Sequence, residues 1–179
     1  MSFGYKIIHN SVDITRVTYA VVQQNERLLC ELLRIALFDF WIANEDRNYN
    51  NSNLMYDVLA SSLISIDYGC ILNTSTFDFP LSQLTSTDTI LYANIFQHLK
   101  HNIPSEKIYD CTHCLSLEYK DMIGSCLDKL NYILSIIPPD WLINLDLVKS
   151  KLLQLFEKTW IDEVWNNFME CLKENLKNE

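Results

Sequence analysis

Three residues of the chain have the side chains and the order needed to move a phosphoryl group. Asp46 and Asn51 stand five positions apart in an Asp-x-x-x-x-Asn stretch, and Asp67 follows in an Asp-Tyr-Gly turn. In kinase-type transfer a loop Asp accepts the proton of the attacking hydroxyl, an Asn five residues on holds one Mg²⁺, and a later turn Asp holds another. Carboxylate and carboxamide oxygens are hard ligands, and Mg²⁺ takes only a few protein oxygens beside its waters. Gly69 permits a sharp turn just past Asp67. Asp and Asn also favour helix ends and turns for purely local hydrogen bonds. The ordered context of all three residues is what gives the spacing weight.

Such a loop needs a rigid element to deliver it. From Leu28 onward, apolar residues at 29, 32, 33, 36, 37, 40 and 41 follow helical spacing, with Asn25 placed as N-cap. The stretch from Asn44 to Asn53 is too polar to continue the helix and rich in turn-forming Asn. Leu54 to Leu59 and Ser62 to Asp67 read as two strands joined near Ala60-Ser61. A loop from Cys70 to Phe79 would then cross the mouth of the site at an activation-segment position. Further on, Thr87 to Lys100 and Leu115 to Ile137 read as helices, the second weakened by Gly124 by about 1 kcal/mol relative to Ala. Pro138-Pro139 is a stop. Leu145 to Leu176 reads as two helices, with Trp141, Trp160 and Trp165 as packing residues. Near the start, Lys6 to His9 and Thr18 to Val22 fit short strands or one irregular arm. The expected fold is mainly α with a small β-hairpin, in a single domain over residues 1–179.

At these residues the sequence resembles a known family. Leu37 to Leu54, LFDFWIANEDRNYNNSNL, followed by Ile64-Ser-Ile-Asp-Tyr-Gly69, is similar to the C-terminal lobe of HipA-like kinases, whose core is shared with phosphoinositide kinases. The family's loop typically reads Asn-x-Asp-Arg-His-x-x-Asn, and its later strand ends in Ile-Asp. The resemblance implies Asp46 as catalytic base, Arg47 as its catalytic-loop partner holding the loop, and Asn51 and Asp67 as ligands of Mg²⁺ and thereby of ATP. Asn44 fills the leading Asn, and Asn48 stands where the family often has His. Phe3-Gly4 and Pro138 to Trp165 resemble the flanks of such a lobe less specifically. The implied activity is Mg²⁺- and ATP-dependent phosphorylation of a protein hydroxyl, as in serine/threonine kinases of toxin-antitoxin type.

Composition limits the other classes. At 179 residues and 49% hydrophobic, with 3 Gly and 4 Pro, the chain can bury a substantial core. A net charge of -9 with scattered Lys and Arg argues against a general nucleic-acid binder. Glu31, Arg34 and Asp39 interrupt the most apolar stretch, so no membrane span is expected. No basic-then-apolar leader precedes it, which points to a cytoplasmic location. For a chain able to build its own core outside a secretory context, the six cysteines read as reduced thiols. Cys30, Cys70, Cys126 and Cys171 would act as small hydrophobes.

Cys111-Thr-His-Cys114 offers thiolate spacing for zinc, with His98 and His101 completing a set of four. The plainer reading has solvated histidines and core cysteines, and a redox Cys-x-x-Cys lacks its usual βαβ context. A kinase also needs an ATP-covering lobe with a phosphate-pairing lysine. Only Lys6 and Gly4 suit that purpose in the 45 residues before Asp46. Three explanations are open: another polypeptide supplies the lobe, the chain is part of a longer kinase, or catalysis has been lost. The partners considered are a separate N-lobe polypeptide or an antitoxin-like regulator, together with a protein substrate. Alternatives are a non-catalytic pseudokinase serving as a helical interaction module, and a zinc-stapled adaptor.

Overall fold

The computed structural model describes residues 10–14, 25–74, 80–141 and 143–177. The stretches Lys6 to His9 and Thr18 to Val22 lie outside them. Strand β1 (Ser11–Asp13) is followed by helix α1 (Glu26–Trp41), β2 (Leu54–Asp57) and β3 (Ser62–Ser65). Helices α2 (Asn94–Asn102), α3 (Ser105–Ser135), α4 (Leu145–Gln154) and α5 (Lys158–Lys177) complete the order, with single 3₁₀ turns at Ser86–Asp88, Ile90–Tyr92 and Pro139–Trp141. The fold is mainly helical with a small antiparallel sheet of order β1-β2-β3.

The sheet is the expected hairpin plus one strand. Leu54 pairs with Ser65 and Asp57 with Ser62, so both strands stop two residues short of the sequence reading. At the turn, β2 stops because the Asp57 carboxylate accepts from the N–H groups of Leu59 (2.9 Å) and Ala60 (3.0 Å), closing an Asx turn before Ser61 at φ 50°.

Helix α1 lies at the centre. Asn25 caps it by accepting from the Leu28 N–H at 3.1 Å, and Leu28, Leu29, Leu32, Leu33, Ala36 and Phe40 are all fully buried. It packs against α2, α3, α5 and β3, the last also tied by a Leu63 N–H donated to Glu31 at 2.8 Å. Its far end is locked by two indoles. Trp41 donates Nε1–H to the Leu155 carbonyl at 2.8 Å, and Trp160 donates its own to the Trp41 carbonyl at 3.0 Å. The second bond satisfies one of the carbonyls that a helix C-terminus leaves without a partner. Trp160 is thus core, and Trp165 stacks on Tyr119, whereas Trp141 is 49% exposed.

Two helix boundaries differ from the sequence reading. The span Thr87 to Lys100 is broken, because Thr85 and Asp88 form a capping box and Thr89 accepts from the Leu91 N–H, so α helix starts only at Asn94. Helix α3 begins at Ser105, ten residues before the expected Leu115, directly after Pro104. Cys111 and Cys114 therefore sit on a helix, and Cys111 is joined to Cys30 of α1 by a disulfide. This corrects the expectation of six reduced thiols; Cys70, Cys114, Cys126 and Cys171 remain free. Among the described residues no helix is long and apolar enough to cross a membrane.

Candidate active site

The site begins where α1 ends. Ala43 takes the left-handed conformation at φ 49°, and the Asn44 N–H bonds the Asp39 carbonyl at 2.9 Å while the Ala43 N–H bonds that of Phe40. This is a Schellman ending with alanine in the position glycine usually holds. Side chains reinforce it: the Asn44 amide donates to Asp39 Oδ1 at 2.8 Å, and Asn44 Oδ1 accepts from the Asp46 N–H at 3.4 Å.

Asp39 is the group that sequence reading left without a role. It is 2% exposed, and burial pushes its carboxyl up to about 6, against the opposing pull of the Arg47 charge and the hydrogen bonds of Asn44 and Arg47. Arg47 donates Nε–H to Asp39 Oδ2 at 2.8 Å, with both side chains out of solvent. Its Nη1 donates to the carbonyls of Ser52 (3.3 Å) and Ile66 (3.2 Å), and also to that of Asn53. The guanidinium carbon lies 4.9 Å from the centre of the Tyr68 ring, a cation–π contact. Arg47 therefore joins the end of α1, the polar loop and the segment after β3 in one buried node. An aspartate interrupting an apolar helix stripe was the available signal for its partner.

The structure brings Asp46 and Asn51 together. The Asn51 amide donates to Asp46 Oδ1 at 3.1 Å, and the Asn53 amide donates to Asp46 Oδ2 at 2.9 Å, so both carboxylate oxygens are oriented. Asn53, at φ 43°, is a second residue that sequence reading passed over. Asn48 shapes the turn between them: its side-chain oxygen accepts from the N–H groups of Asn50 (3.0 Å) and Asn51 (3.3 Å).

Asp67 is placed by its backbone. Its neighbours Ile66 and Tyr68 both engage Arg47, and the Ile66 N–H bonds the Asn53 carbonyl at 3.0 Å. Asp67 itself is exposed at φ 54°, and its carboxylate accepts from the Gly69 N–H at 3.2 Å rather than from the loop. Beyond it, Leu72 and Asn73 donate N–H bonds to the carbonyls of Ile42 and Ala43, and the Asn73 amide bonds Glu45 at 2.6 Å. Residues 75–79 of the proposed mouth-crossing loop lie outside the described residues.

A cavity of about 490 Å³ opens beside the loop, bordered by Asp13, Asn50, Asn51, Asn53, Met55 and Ile66 among others, with no lysine or arginine in its lining. The donors fit a hard cation: Asn51 turns its amide nitrogen to Asp46, leaving its oxygen for a ligand, and Asp67 offers an exposed carboxylate. The zinc set is not assembled. Cys111 is in the disulfide, and among the described residues no three His, Cys, Asp or Glu side chains converge on a metal position.

No curated protein and no solved structure matches the chain at a significant level. The sequence model of a family described as HipA-like kinase matches residues 1–168, and with nearly the whole chain inside that match, the protein belongs to the HipA-like kinase family.

Proposed function

We propose that the chain is the catalytic lobe of a Mg²⁺- and ATP-dependent phosphotransferase acting on a serine or threonine hydroxyl of a protein. The observation that carries this reading is the contact between Asp46 and Asn51, 3.1 Å apart in a loop that Arg47 ties to the Ile66 carbonyl and the Tyr68 ring, one on either side of Asp67. Asp46 acts as base toward the attacking hydroxyl. Its two oxygens are oriented by Asn51 and Asn53, so the proton acceptor needs little rearrangement to meet its substrate. The Asn51 oxygen and the Asp67 carboxylate would hold Mg²⁺, which when bound neutralises phosphate charge. That neutralisation matters here because the adjoining cavity has no basic lining of its own. An ATP-covering lobe comes from outside the helical lobe described, as a separate N-lobe polypeptide or another segment, and an antitoxin-like regulator is the expected partner.

Calorimetric titration of Mg²⁺-ATP into the full chain, beside an Asp67→Ala variant, tests the reading. Binding by the unaltered chain that is lost in the variant supports it, and equal binding by both overturns the ligand assignment.

A second reading, a non-catalytic interaction module, is favoured by the apolar surface at the end of α3 and beyond. Ile133, Ile136, Trp141 and Leu147 are between 46% and 53% exposed there. Absence of nucleotide binding in both proteins moves the weight to this reading.

A further inference from the structure

The seam between α1 and α3 is built as three rungs. Glu26 meets Lys107 at 3.6 Å, Cys30 is bonded to Cys111, and Arg34 forms a two-point ion pair with Glu118 at 2.9 and 3.1 Å. The rungs ascend together along both helices, so the two run in the same direction here, with the covalent rung in the middle. The outer rungs are ionic and about half exposed, where solvent screens them. The disulfide is the strong member of the set, and Cys30 lies on the helix that carries Asp39, the partner of Arg47.

Three residues past Cys111 on the same helix is Cys114, an exposed free thiol. Side chains three apart on a helix are neighbours, and helix geometry sets their Cα atoms about 5 Å apart, inside the span a disulfide bridges. Cys30 and Cys111 are only partly accessible, whereas Cys114 is open to solvent. The geometry points to a thiol–disulfide exchange centre in which Cys114 is the resolving thiol that opens the seam.

The step is redox-neutral within the chain. The Cys114 thiolate attacks Cys111 Sγ, the Cys111–Cys114 bond forms, the Cys30–Cys111 bond breaks, and Cys30 leaves with the electron pair as a thiolate that water then protonates. A dithiol reductant completes the opening by exchange at the exposed Cys114, being oxidised to its own disulfide as Cys111 and Cys114 become thiols. A bridge confined to one helical turn draws the two Cβ atoms closer than the regular helix does, so the Cys30–Cys111 bond is the resting state and Cys111–Cys114 the transient one. Opening leaves the two ionic rungs to hold α1 against α3. This chemistry stands independently of the phosphotransfer reading.

The test uses the full chain equilibrated with oxidised glutathione, then exposed to limiting dithiothreitol, acid-quenched at intervals, alkylated and mapped by peptide mass spectrometry. A Cys30–Cys111 cross-linked peptide is expected at the start, with Cys30 becoming alkylated before Cys111. In Cys114→Ser the release of Cys30 slows by about tenfold, since only the external reductant can then attack. Cys126→Ser, a free thiol further along the same helix, keeps the unaltered rate. Absence of the Cys30–Cys111 peptide after glutathione equilibration overturns the proposal, as does release of Cys30 from Cys114→Ser at the unaltered rate.

Discussion

Arg47 reaches back eight residues to Asp39, Nε to Oδ2 at 2.8 Å, and neither side chain meets solvent. The pair is the pivot between helix and loop, because the same guanidinium donates to the carbonyls of Ser52, Asn53 and Ile66. Arg47→Ala leaves the buried Asp39 carboxylate without its cation and the Ser52 and Ile66 carbonyls without this donor, while the Asn53 carbonyl keeps the Ile66 N–H. It should cost about 3–5 kcal/mol of stability, read from the urea midpoint. Arg47→Lys keeps the charge but not the planar fork, so it should recover only a minor part of that loss.

The same pair sets a pH dependence. Asp39 has its carboxyl raised from 3.8 to about 6 by burial, so between those values the folded protein binds a proton that the unfolded chain has released. Stability from this group is fully present below the unfolded value and is lost as pH rises through about 6. Urea midpoints measured across that window should fall with rising pH, and Asp39→Asn should flatten this part of the curve. In Arg47→Ala the charge that pulls Asp39 downward is gone, and the falling limb should extend to higher pH.

The far end of α1 offers a separate test. Trp160→Phe keeps most of the ring but removes the N–H that satisfies the Trp41 carbonyl in a buried setting. A loss of about 1–3 kcal/mol is expected from leaving that acceptor unpaired. The measurement is equilibrium denaturation followed by far-ultraviolet circular dichroism, which does not rely on the fluorophore removed.

Helix α3 should gain from the opposite kind of change. A Cβ at Gly124 would meet nothing within 4 Å, and the position is exposed in the helix interior. Gly124→Ala should therefore raise stability by about 1 kcal/mol through helix propensity alone, seen as a higher urea midpoint with unchanged slope.

Much of this organisation is legible in the sequence, for identifiable reasons. Helix α1 announces itself by an unbroken apolar period and an Asn cap, and the hairpin by two short apolar runs around a turn. The start of α3 is hidden because residues 105 to 114, SEKIYDCTHC, carry few apolar groups, so periodicity is silent while Pro104 alone marks the boundary. The Cys30–Cys111 bond is hidden because the cysteines of a chain with its own core and no secretory leader read as reduced thiols, and spacing alone does not point to a partner 81 residues away. Asp39 and Asn53 stay obscure for a different reason. Their importance lies in what they touch across the fold, which local spacing does not encode.

Asn53 carries the last prediction. Its amide is the second donor to Asp46, 2.9 Å from Oδ2, and its left-handed backbone restricts which residues can replace it. Asp tolerates that conformation about as well as Asn does, so Asn53→Asp changes the chemistry more than the backbone. It sets a second carboxylate against the first where a hydrogen bond stood, and the repulsion turns Asp46 out of line. On the proposed reading, phosphoryl transfer by the assembled enzyme should fall about 10²-fold in kcat. The KM for ATP should move little, because Asp67 is untouched and the Asn51 oxygen remains available. Asn53→Gly, which keeps the backbone and removes the donor without adding charge, should lose about tenfold. Equal losses in both variants would mean that the amide serves only to hold the turn, whereas a deeper loss in the carboxylate variant marks Asn53 as the residue that aims Asp46.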